Sequence, residues 1–387
     1  MKNNLKKNLG DAPQQSTSDR SLTKTDALCL SGVAIIMMIF HHCFRTPSLF
    51  ENYNVSFAPF SQDFAVELSS YFKICFSILS FLAGYFFYIS ASKSKSSLKS
   101  SAKWTSDKLL KYMSGFWLIY IISFIITQIY DGYPVDVYCD DGMIRGAVYA
   151  VIDFLGLANL FGTPSMNTTW WYIGALIFFI LVVPLFIKIT DKWGYFILLI
   201  MLIMLPRVLP IGASEGDSPY SFVTIMVLGM FFAKFNAFER LSNLKWLKNE
   251  KADKAIKFIP ILAILVISFI LFDRVSKSKL WELHYTIVPL VFIYFFKEYI
   301  IRIPIVKQIL AFLGKHAMNI LLIHTFFRKT FFADFIYSFK SFWIIALVLF
   351  AISLAISIVI ELLKKLIRFD KIIKMISDKV CLLIDKI

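Results

Sequence analysis

Long, uninterrupted apolar stretches recur along this chain and constrain its fold more than any other feature. A helix needs about 20 apolar residues to cross the bilayer core, and about ten segments approach that length. Good to within a few residues, these segments are 26–45, 66–90, 112–130, 170–189, 194–212, 219–235, 256–272, 284–300, 316–336 and 341–363. The runs are continuous and do not alternate with polar residues, which argues against a β-barrel. We therefore predict an all-α polytopic membrane protein with about ten transmembrane helices.

The composition supports this prediction. Hydrophobic residues make up 58% of the chain and charged residues 17%, against roughly 45–50% and about 25% in soluble domains. A net charge of +15 would point to nucleic acid in a soluble protein, but here Lys and Arg gather in short loops, so we expect no nucleic-acid partner. The five cysteines show no CxxC or CxxH spacing, and no metal site is expected.

Basic loops determine the predicted orientation, because Lys and Arg accumulate on the cytoplasmic side. One arrangement puts every strongly basic loop inside and leaves the acidic loops 131–169 and 213–218 outside. The residues it places inside are Lys93, Lys95, Lys99, Lys103, Lys108, Lys111, Lys188, Lys192, the basic residues of 234–257, Arg302, Lys307 and those of the C-terminal tail. Both termini are then cytoplasmic.

Three regions follow from this topology. Residues 1–24 are polar, lack a signal-peptide core and are predicted to form a disordered cytoplasmic tail. Residues 25–363 form the membrane domain. Residues 364–387 form a basic amphipathic cytoplasmic tail suited to the anionic inner leaflet, so membrane lipid is an expected partner. The stretch 146–162 is too short to span, carries Asp153, and is predicted to be interfacial or re-entrant.

Polar groups inside apolar spans are costly, so each is a functional hypothesis. His41 and His42 lie near the outer end of the first span, where a neutral imidazole could act as a general base. Neighbouring helix positions differ by about 100°, so only one of the two rings can face a given pocket. The alternative is a pair that only forms hydrogen bonds between helices.

The ninth predicted span contains a second histidine near its middle. His324 has Ala317 two turns before it, a small residue that permits close approach of another helix. Lys315 and His316 lie at the cytoplasmic end of this span, where they either contact a substrate or are simply solvated at the interface.

Three further residues are candidates for substrate binding. Lys73 interrupts the second span, where it either lines a site or extends to water. Trp170 and Trp171 open the fourth span at the outer surface, where they either line a pocket or belong to an interfacial aromatic belt.

The segment LSGVAIIMMIFHHCF (30–44) resembles the opening signature of the membrane acyltransferase-3 family, which contains O-antigen and capsule O-acetylases. That signature is a basic residue followed by Gly-x-Ala, an apolar run and a catalytic histidine eleven positions after the basic residue. Gly32 and Ala34 match it, and the spacing makes His42 the catalytic position with His41 as its doublet partner.

Further segments are similar to the family in order and spacing, and together they cover nearly the whole chain. Ala83 stands where the family's second-span segment usually has Ser. The matching segments are ICFSILSFLAGYFFY (74–88), DKLLKYMSGFWLIY (107–120), MNTTWWYIGALIFFILVVPLF (166–186), VLGMFFAKF (227–235) and LGKHAMNILLIHTFF (313–327).

One position departs from the family. Ser31 stands where the signature has Arg or Lys, about 16 Å along the helix from His42 and on nearly the same face. Such a cation would meet the thioester or phosphates of the donor, whereas Ser31 brings no charge. Either Lys24 or Lys315 replaces it, or the protein is impaired, or it uses another donor.

The resemblance implies a bacterial inner-membrane enzyme of the cell envelope that modifies polysaccharide by O-acetylation. An acyl group, expected to be acetyl, would pass from cytoplasmic acyl-CoA to a hydroxyl of an extracytoplasmic glycan, with acyl-CoA as donor substrate and no other cofactor. His42 would serve as general base or carry the acyl group. Ser31, Lys73, Trp170, Trp171, Lys315 and His324 would contact the substrates.

Two alternatives remain open at this point. A carrier or flippase for lipid-linked glycans would also have many spans and a basic cytoplasmic face. It is disfavoured because acidic residues lie only near the span ends, at Glu67, Glu282 and Glu361. Other multi-span O-acyltransferases lack the histidine-doublet spacing.

Overall fold

The computed structural model describes residues 21–93, 97–209, 219–278 and 280–386, and these residues are almost entirely helical. Most of the predicted N-terminal tail and the predicted outer loop 213–218 lie outside the described residues. Within them, pairing of strand type is confined to one isolated bridge between Ser56 and Ser341. The all-α fold class predicted from the sequence is confirmed.

The α-helices range from single turns to a continuous helix of 34 residues. In chain order they are α1 (Lys24–Phe44), α2 (Gln62–Tyr71), α3 (Ile74–Ala91), α4 (Leu98–Asp131), α5 (Tyr133–Tyr138), α6 (Met143–Phe154), α7 (Ala158–Phe161), α8 (Trp171–Trp193), α9 (Tyr195–Val208), α10 (Val223–Lys234), α11 (Ala237–Asn243), α12 (Glu250–Ile270), α13 (Phe272–Ser276), α14 (Trp281–Phe295), α15 (Pro304–Thr325), α16 (Ala333–Tyr337), α17 (Phe342–Leu366) and α18 (Phe369–Lys386). Turns of 3-10 helix occur at Pro47–Leu49, Glu51–Tyr53, Thr168–Trp170 and Pro219–Phe222, and π turns at Phe296–Ile300 and Phe326–Thr330.

Six helical units in the described chain are long and apolar enough to cross a membrane. They are α1, the α2–α3 unit, α4, α8 with its preceding turn, α15 with its following π turn, and α17. Helices α10 and α11, bent by 67°, form a seventh candidate. This is a polytopic membrane protein, and these units coincide with seven of the predicted spans.

The other three predicted spans take a different form in the structure. For 194–212 there is only α9, a 14-residue helix. For 256–272 there is α12, whose first turns carry Glu250 and Asp253. For 284–300 there is α14 continued by a π turn that contains Lys297 and Glu298. The count of ten spans therefore stays a prediction, as does the orientation of the termini.

Some helices extend well beyond the apolar windows that predicted them. Helix α4 begins at Leu98, where Ser97 caps it by accepting a hydrogen bond from the Ser100 amide. Helix α15 begins at Pro304, a residue suited to the first turn of a helix. The apolar pattern predicts the membrane-embedded part of a helix, whereas capping residues decide where the helix itself begins.

Two glycine contacts hold helices at close range. Gly32 of α1 and Gly314 of α15 face each other's helix, and a Cβ on Gly314 would lie 1.9 Å from the Leu28 carbonyl oxygen. Gly84 of α3 and Gly229 of α10 form an equivalent contact. Small residues let backbones approach where no hydrophobic effect drives helices together. The α1–α15 pair forms the most extensive helix contact of the described chain.

The C-terminal helix α18 packs on the polar end of α4. Ser377 donates a hydrogen bond to Asp107 at 3.0 Å, and Lys103 pairs with Asp385. Apolar side chains on α18 remain exposed. They are Ile372, Met375, Ile376, Leu382 and Leu383.

Candidate active site

Two histidines from distant parts of the sequence meet at the α1–α15 contact. The ring centroids of His42 and His324 are 5.0 Å apart. Each histidine lies ten residues after a contact glycine, His42 after Gly32 and His324 after Gly314. The two helices therefore keep the same register from the glycines to the histidines, and close packing of the backbones brings the rings together.

The ring of His324 is fixed by its own helix. Its Nδ1 donates to the carbonyl oxygens of Ile320 and Leu321, at 3.0 and 3.1 Å. A carbonyl can only accept, so Nδ1 carries the proton and Nε2 is an acceptor. That Nε2 lies 3.2 Å from the Thr325 hydroxyl, which donates to it. His324 is fully buried, and these hydrogen bonds hold it as a neutral imidazole.

The two rings of the doublet have different surroundings. His41 is buried and its Nδ1 donates to the Ser69 carbonyl at 2.6 Å, which fixes it against the end of α2. His42 is only partly buried, yet its Nε2 is sealed and has no hydrogen-bond partner among the described residues. A buried unsatisfied nitrogen calls for an explanation. His42 therefore presents an unpartnered Nε2 beside His324, whereas the Nδ1 of His41 is committed to the Ser69 carbonyl. We call His41, His42 and His324 the histidine group.

The turn before α8 is fastened to α15 beside His324. The Trp170 Nε1 and the Asn167 Nδ2 both donate to the Leu322 carbonyl, at 2.9 and 3.0 Å. The Thr169 hydroxyl lies 3.2 Å from the Leu321 carbonyl. Trp170 is thus buried and fixed, which excludes the belt alternative for this residue.

The Phe76 ring lies between Trp171 and His42. The Phe76 ring lies 4.9 Å from the Trp171 ring and 6.2 Å from the His42 ring. Together with Trp170, Trp171 also lines a cavity of about 220 Å³ shared with loop 131–169, which we call the outer cavity after the predicted orientation.

Asp153 organises the wall of this outer cavity. Its carboxylate accepts hydrogen bonds from the Tyr138 hydroxyl, the Ser165 hydroxyl and the Met166 amide, at 2.6, 2.8 and 3.0 Å. Burial raises the pKa of the Asp153 carboxyl to about 6, and the same hydrogen bonds oppose that shift. The segment predicted to be interfacial or re-entrant forms the short helices α6 and α7 around this carboxyl.

A larger cavity of about 480 Å³, which we call the inner cavity after the predicted orientation, opens at the other end of the α1–α15 pair. Lys24 and Lys111 line it together with Ser31, and Leu321, one turn before His324, also belongs to its wall. Lys315 is exposed and does not line it. Of the two cations considered as replacements at Ser31, Lys24 is therefore placed to act and Lys315 is not. Lys111 was not singled out from the sequence.

Lys73 lies at the break between α2 and α3 and is 3% exposed. Its side chain is therefore buried among helices and does not extend to water. Its charge acts on His41 and on His284, a buried histidine of α14. Lys73 thus lies on the His41 side of the histidine group.

Arg328 adjoins the histidine group and is not among the residues that the sequence analysis singles out. It is 5% exposed, and its charge acts on the rings of His41, His42 and His324. It follows His324 by four residues, which puts both on one face of the helix. A cation within an apolar run is the signal that could have found it.

The sequence model of the acyltransferase-3 family, described as an acyltransferase domain, matches residues 29–362. This range contains every residue of the histidine group. The chain belongs to the acyltransferase-3 family.

As a member of the acyltransferase-3 family, the protein is a membrane acyltransferase that moves groups other than amino-acyl groups. Family membership favours the enzyme over the carrier considered above. No curated protein and no solved structure matches the chain significantly. Among the described residues, no group of three His, Cys, Asp or Glu side chains could hold a metal ion.

Proposed function

We propose that this acyltransferase moves an acyl group, expected to be acetyl, from cytoplasmic acyl-CoA to a hydroxyl of a cell-surface glycan. The observation that carries the proposal is the unpartnered Nε2 of His42, which lies beside His324 where α1 and α15 pack together. A general base needs an acceptor nitrogen that is not already bonded to a donor and that comes within hydrogen-bond reach of the proton it removes. The resemblance supplies the classes of donor and acceptor.

In this proposal the inner cavity receives the donor. Lys24 and Lys111 would pair with the phosphates of the coenzyme at the cavity mouth. The pantetheine arm would extend past Ser31 towards Leu321, which brings the thioester to the histidine pair. The charge missing at Ser31 is thus supplied from two other positions on the same wall.

The acceptor would approach from the opposite side, over the outer cavity and loop 131–169. Trp170 and Trp171 give that cavity aromatic walls, and aromatic rings suit the apolar faces of sugars. The acceptor hydroxyl would give its proton to His42, attack the thioester carbonyl and become the new ester. His324 would position the ring of His42.

This arrangement requires the orientation inferred from the charges, with about ten spans in a bacterial inner membrane and both termini in the cytoplasm. The exposed apolar side chains of α18, interspersed with lysines, suit the anionic inner leaflet. Membrane lipid is therefore the proposed partner of the C-terminal tail.

The proposal is tested by replacing each histidine in turn. A general base contributes about 10²–10⁴-fold in rate, so His42→Ala should abolish acyl-ester formation on surface polymer at matched membrane levels of protein. His41→Ala should cost much less, because that ring is turned to the Ser69 carbonyl. His316→Ala is the matched control, since His316 is a buried histidine of α15 eight residues before His324.

The acyl-ester content of polymer purified from each strain is the measurement. Loss in His42→Ala with retention in His316→Ala supports the enzyme mechanism. Wild-type ester content in His42→Ala would contradict it and would favour a carrier that only moves the glycan.

A further inference from the structure

The guanidinium of Arg328 is buried next to the histidine pair with part of its hydrogen-bonding capacity unused. Its Nε and Nη1 have no partner among the described residues, and no carboxylate there forms an ion pair with it. The guanidinium lies next to the Tyr337 hydroxyl. That hydroxyl donates to the Cys43 carbonyl at 3.0 Å, which fixes the arrangement to the end of α1.

An unpaired buried cation is costly, because desolvation is not offset by an opposite charge. A protein that keeps such a group at a reaction centre has a use for it in the working complex. The partner that Arg328 lacks is an anionic oxygen, since guanidinium N–H groups can only donate.

The position of Arg328 indicates which oxygen this is. The acyl carbonyl carbon must lie within bonding reach of the hydroxyl held by His42, so its oxygen lies within a few ångströms of His42 Nε2. Arg328 follows His324 by four residues, and the neighbouring Tyr337 hydroxyl is bound to the carbonyl of Cys43, the residue after His42. The charge of Arg328 acts on both His42 and His324. Arg45 also acts on His42 but is exposed, and Lys73 lies on the His41 side of the site.

We propose that Arg328 binds the oxyanion formed at the acyl carbonyl during transfer. This inference rests on the proposed function and adds a residue to it. As the acceptor oxygen bonds to the carbonyl carbon, its proton passes to His42 and the carbonyl electron pair moves onto oxygen. That oxygen accepts hydrogen bonds from Arg328. When the carbonyl re-forms, the carbon–sulfur bond breaks and the thiolate of coenzyme A takes the proton from His42.

The test compares Arg328→Met and Arg328→Lys with Arg45→Met, in which an exposed cation that also acts on His42 is removed. Detergent-purified protein would receive acetyl-CoA and surface polysaccharide isolated from the producing cells, and released thiol would be followed. Loss of one oxyanion donor costs about 10²–10³-fold in kcat. We expect that loss in Arg328→Met, partial recovery in Arg328→Lys, and KM for both substrates within about threefold of wild type. Arg45→Met should stay near wild type.

Thermal stability distinguishes a catalytic role of Arg328 from a purely structural one. Methionine fills a similar volume without a buried charge, so Arg328→Met should melt at the wild-type temperature or above it. A lowered melting temperature would assign Arg328 to holding Tyr337 in place and would overturn the proposal. So would wild-type kcat in Arg328→Met. A rise confined to the KM for polysaccharide would also overturn it, because Arg328 would then bind an acidic group of the acceptor.

The activity of His42→Ala distinguishes failure of the acyl-transfer proposal from failure of the oxyanion role of Arg328. If His42→Ala is inactive and Arg328→Met is fully active, the acyl-transfer function stands and only the oxyanion role fails. If His42→Ala is active, both fail together.

Discussion

At the scale of single residues, the inner cavity has a neutral side chain at the position where the family signature has a cation. Ser31 is half-buried in the cavity wall, and the exposed side chains of Lys24 and Lys111 share that wall. The cavity thus has positive charge at its mouth and a small hydroxyl deeper in.

Restoring the family cation should strengthen donor binding. Ser31→Arg places a guanidinium on the wall that also carries Lys24 and Lys111, where it can pair with a phosphate or the thioester oxygen of the donor. We expect a KM for acetyl-CoA a few-fold lower, with kcat unchanged or higher. Ser31→Met is the control for added bulk, and it should not lower KM. A large loss of activity in folded Ser31→Arg would show that the cavity requires a small neutral group there.

Residue types in the sequence predict only part of the chemistry of the site. His42 and His324 could be singled out because polar side chains are rare in apolar spans, and the structure brings their rings together. The hydrogen bond that fixes His41 could not be predicted, because its acceptor is the Ser69 carbonyl, which belongs to another helix. Arg328 also lies inside the ninth apolar stretch, 316–336, so the rule that singles out His324 applies to it as well.

At the scale of helices, the positions of the His42 and His324 rings depend on a backbone contact elsewhere along the same two helices. The register that joins His42 to His324 is set where Gly32 and Gly314 meet. The Trp170 turn adds a third element through the carbonyls of α15.

Adding a methyl group at the glycine contact should disturb the site at a distance. A Cβ on Gly314 would meet backbone atoms of α1, which cannot turn aside, so the two helices must separate. Overpacking of this kind costs about 1–3 kcal/mol. Gly314→Ala should therefore lower both the melting temperature and the activity per folded molecule.

Two other glycines provide the controls. Gly115→Ala of α4 faces open space and should leave both quantities unchanged or slightly raise stability. Gly229→Ala strains the α3–α10 contact, so it should lower the melting temperature with a smaller effect on kcat. Equal kcat losses for Gly229→Ala and Gly314→Ala would contradict a specific link between the α1–α15 register and catalysis.

Helix limits show what an apolar pattern can predict. It located seven of the units that fit a membrane crossing, because lipid contact demands continuous apolar surface. It did not predict the extension of α4 back to Leu98, since that portion is polar and depends on the Ser97 cap. It also did not predict the 67° bend after α10, which arises where Asn236 adopts a left-handed conformation.

At the scale of the whole molecule, the charge asymmetry predicts which parts face each side of the membrane. In a variant with its five cysteines replaced, a cysteine introduced at the exposed position of Asp140 should react with an impermeant maleimide in intact cells. One at the exposed position of Lys248 should react only after permeabilisation. Reaction at both sites without permeabilisation would contradict the predicted orientation, and silence at Asp140 would place loop 131–169 inside.

The two glycine contacts also restrict how the enzyme can open. At these glycines the backbones of α1 and α15, and of α3 and α10, are in close contact. Each pair should therefore move as a rigid unit during turnover. The other walls of the inner cavity are α4, through Lys111 and Tyr112, and α8, through Tyr172 and Leu176. A bulky donor should therefore enter when α4 and α8 move away from the two rigid helix pairs. Because Ser377 of α18 is hydrogen-bonded to Asp107 of α4, the C-terminal helix would move together with α4.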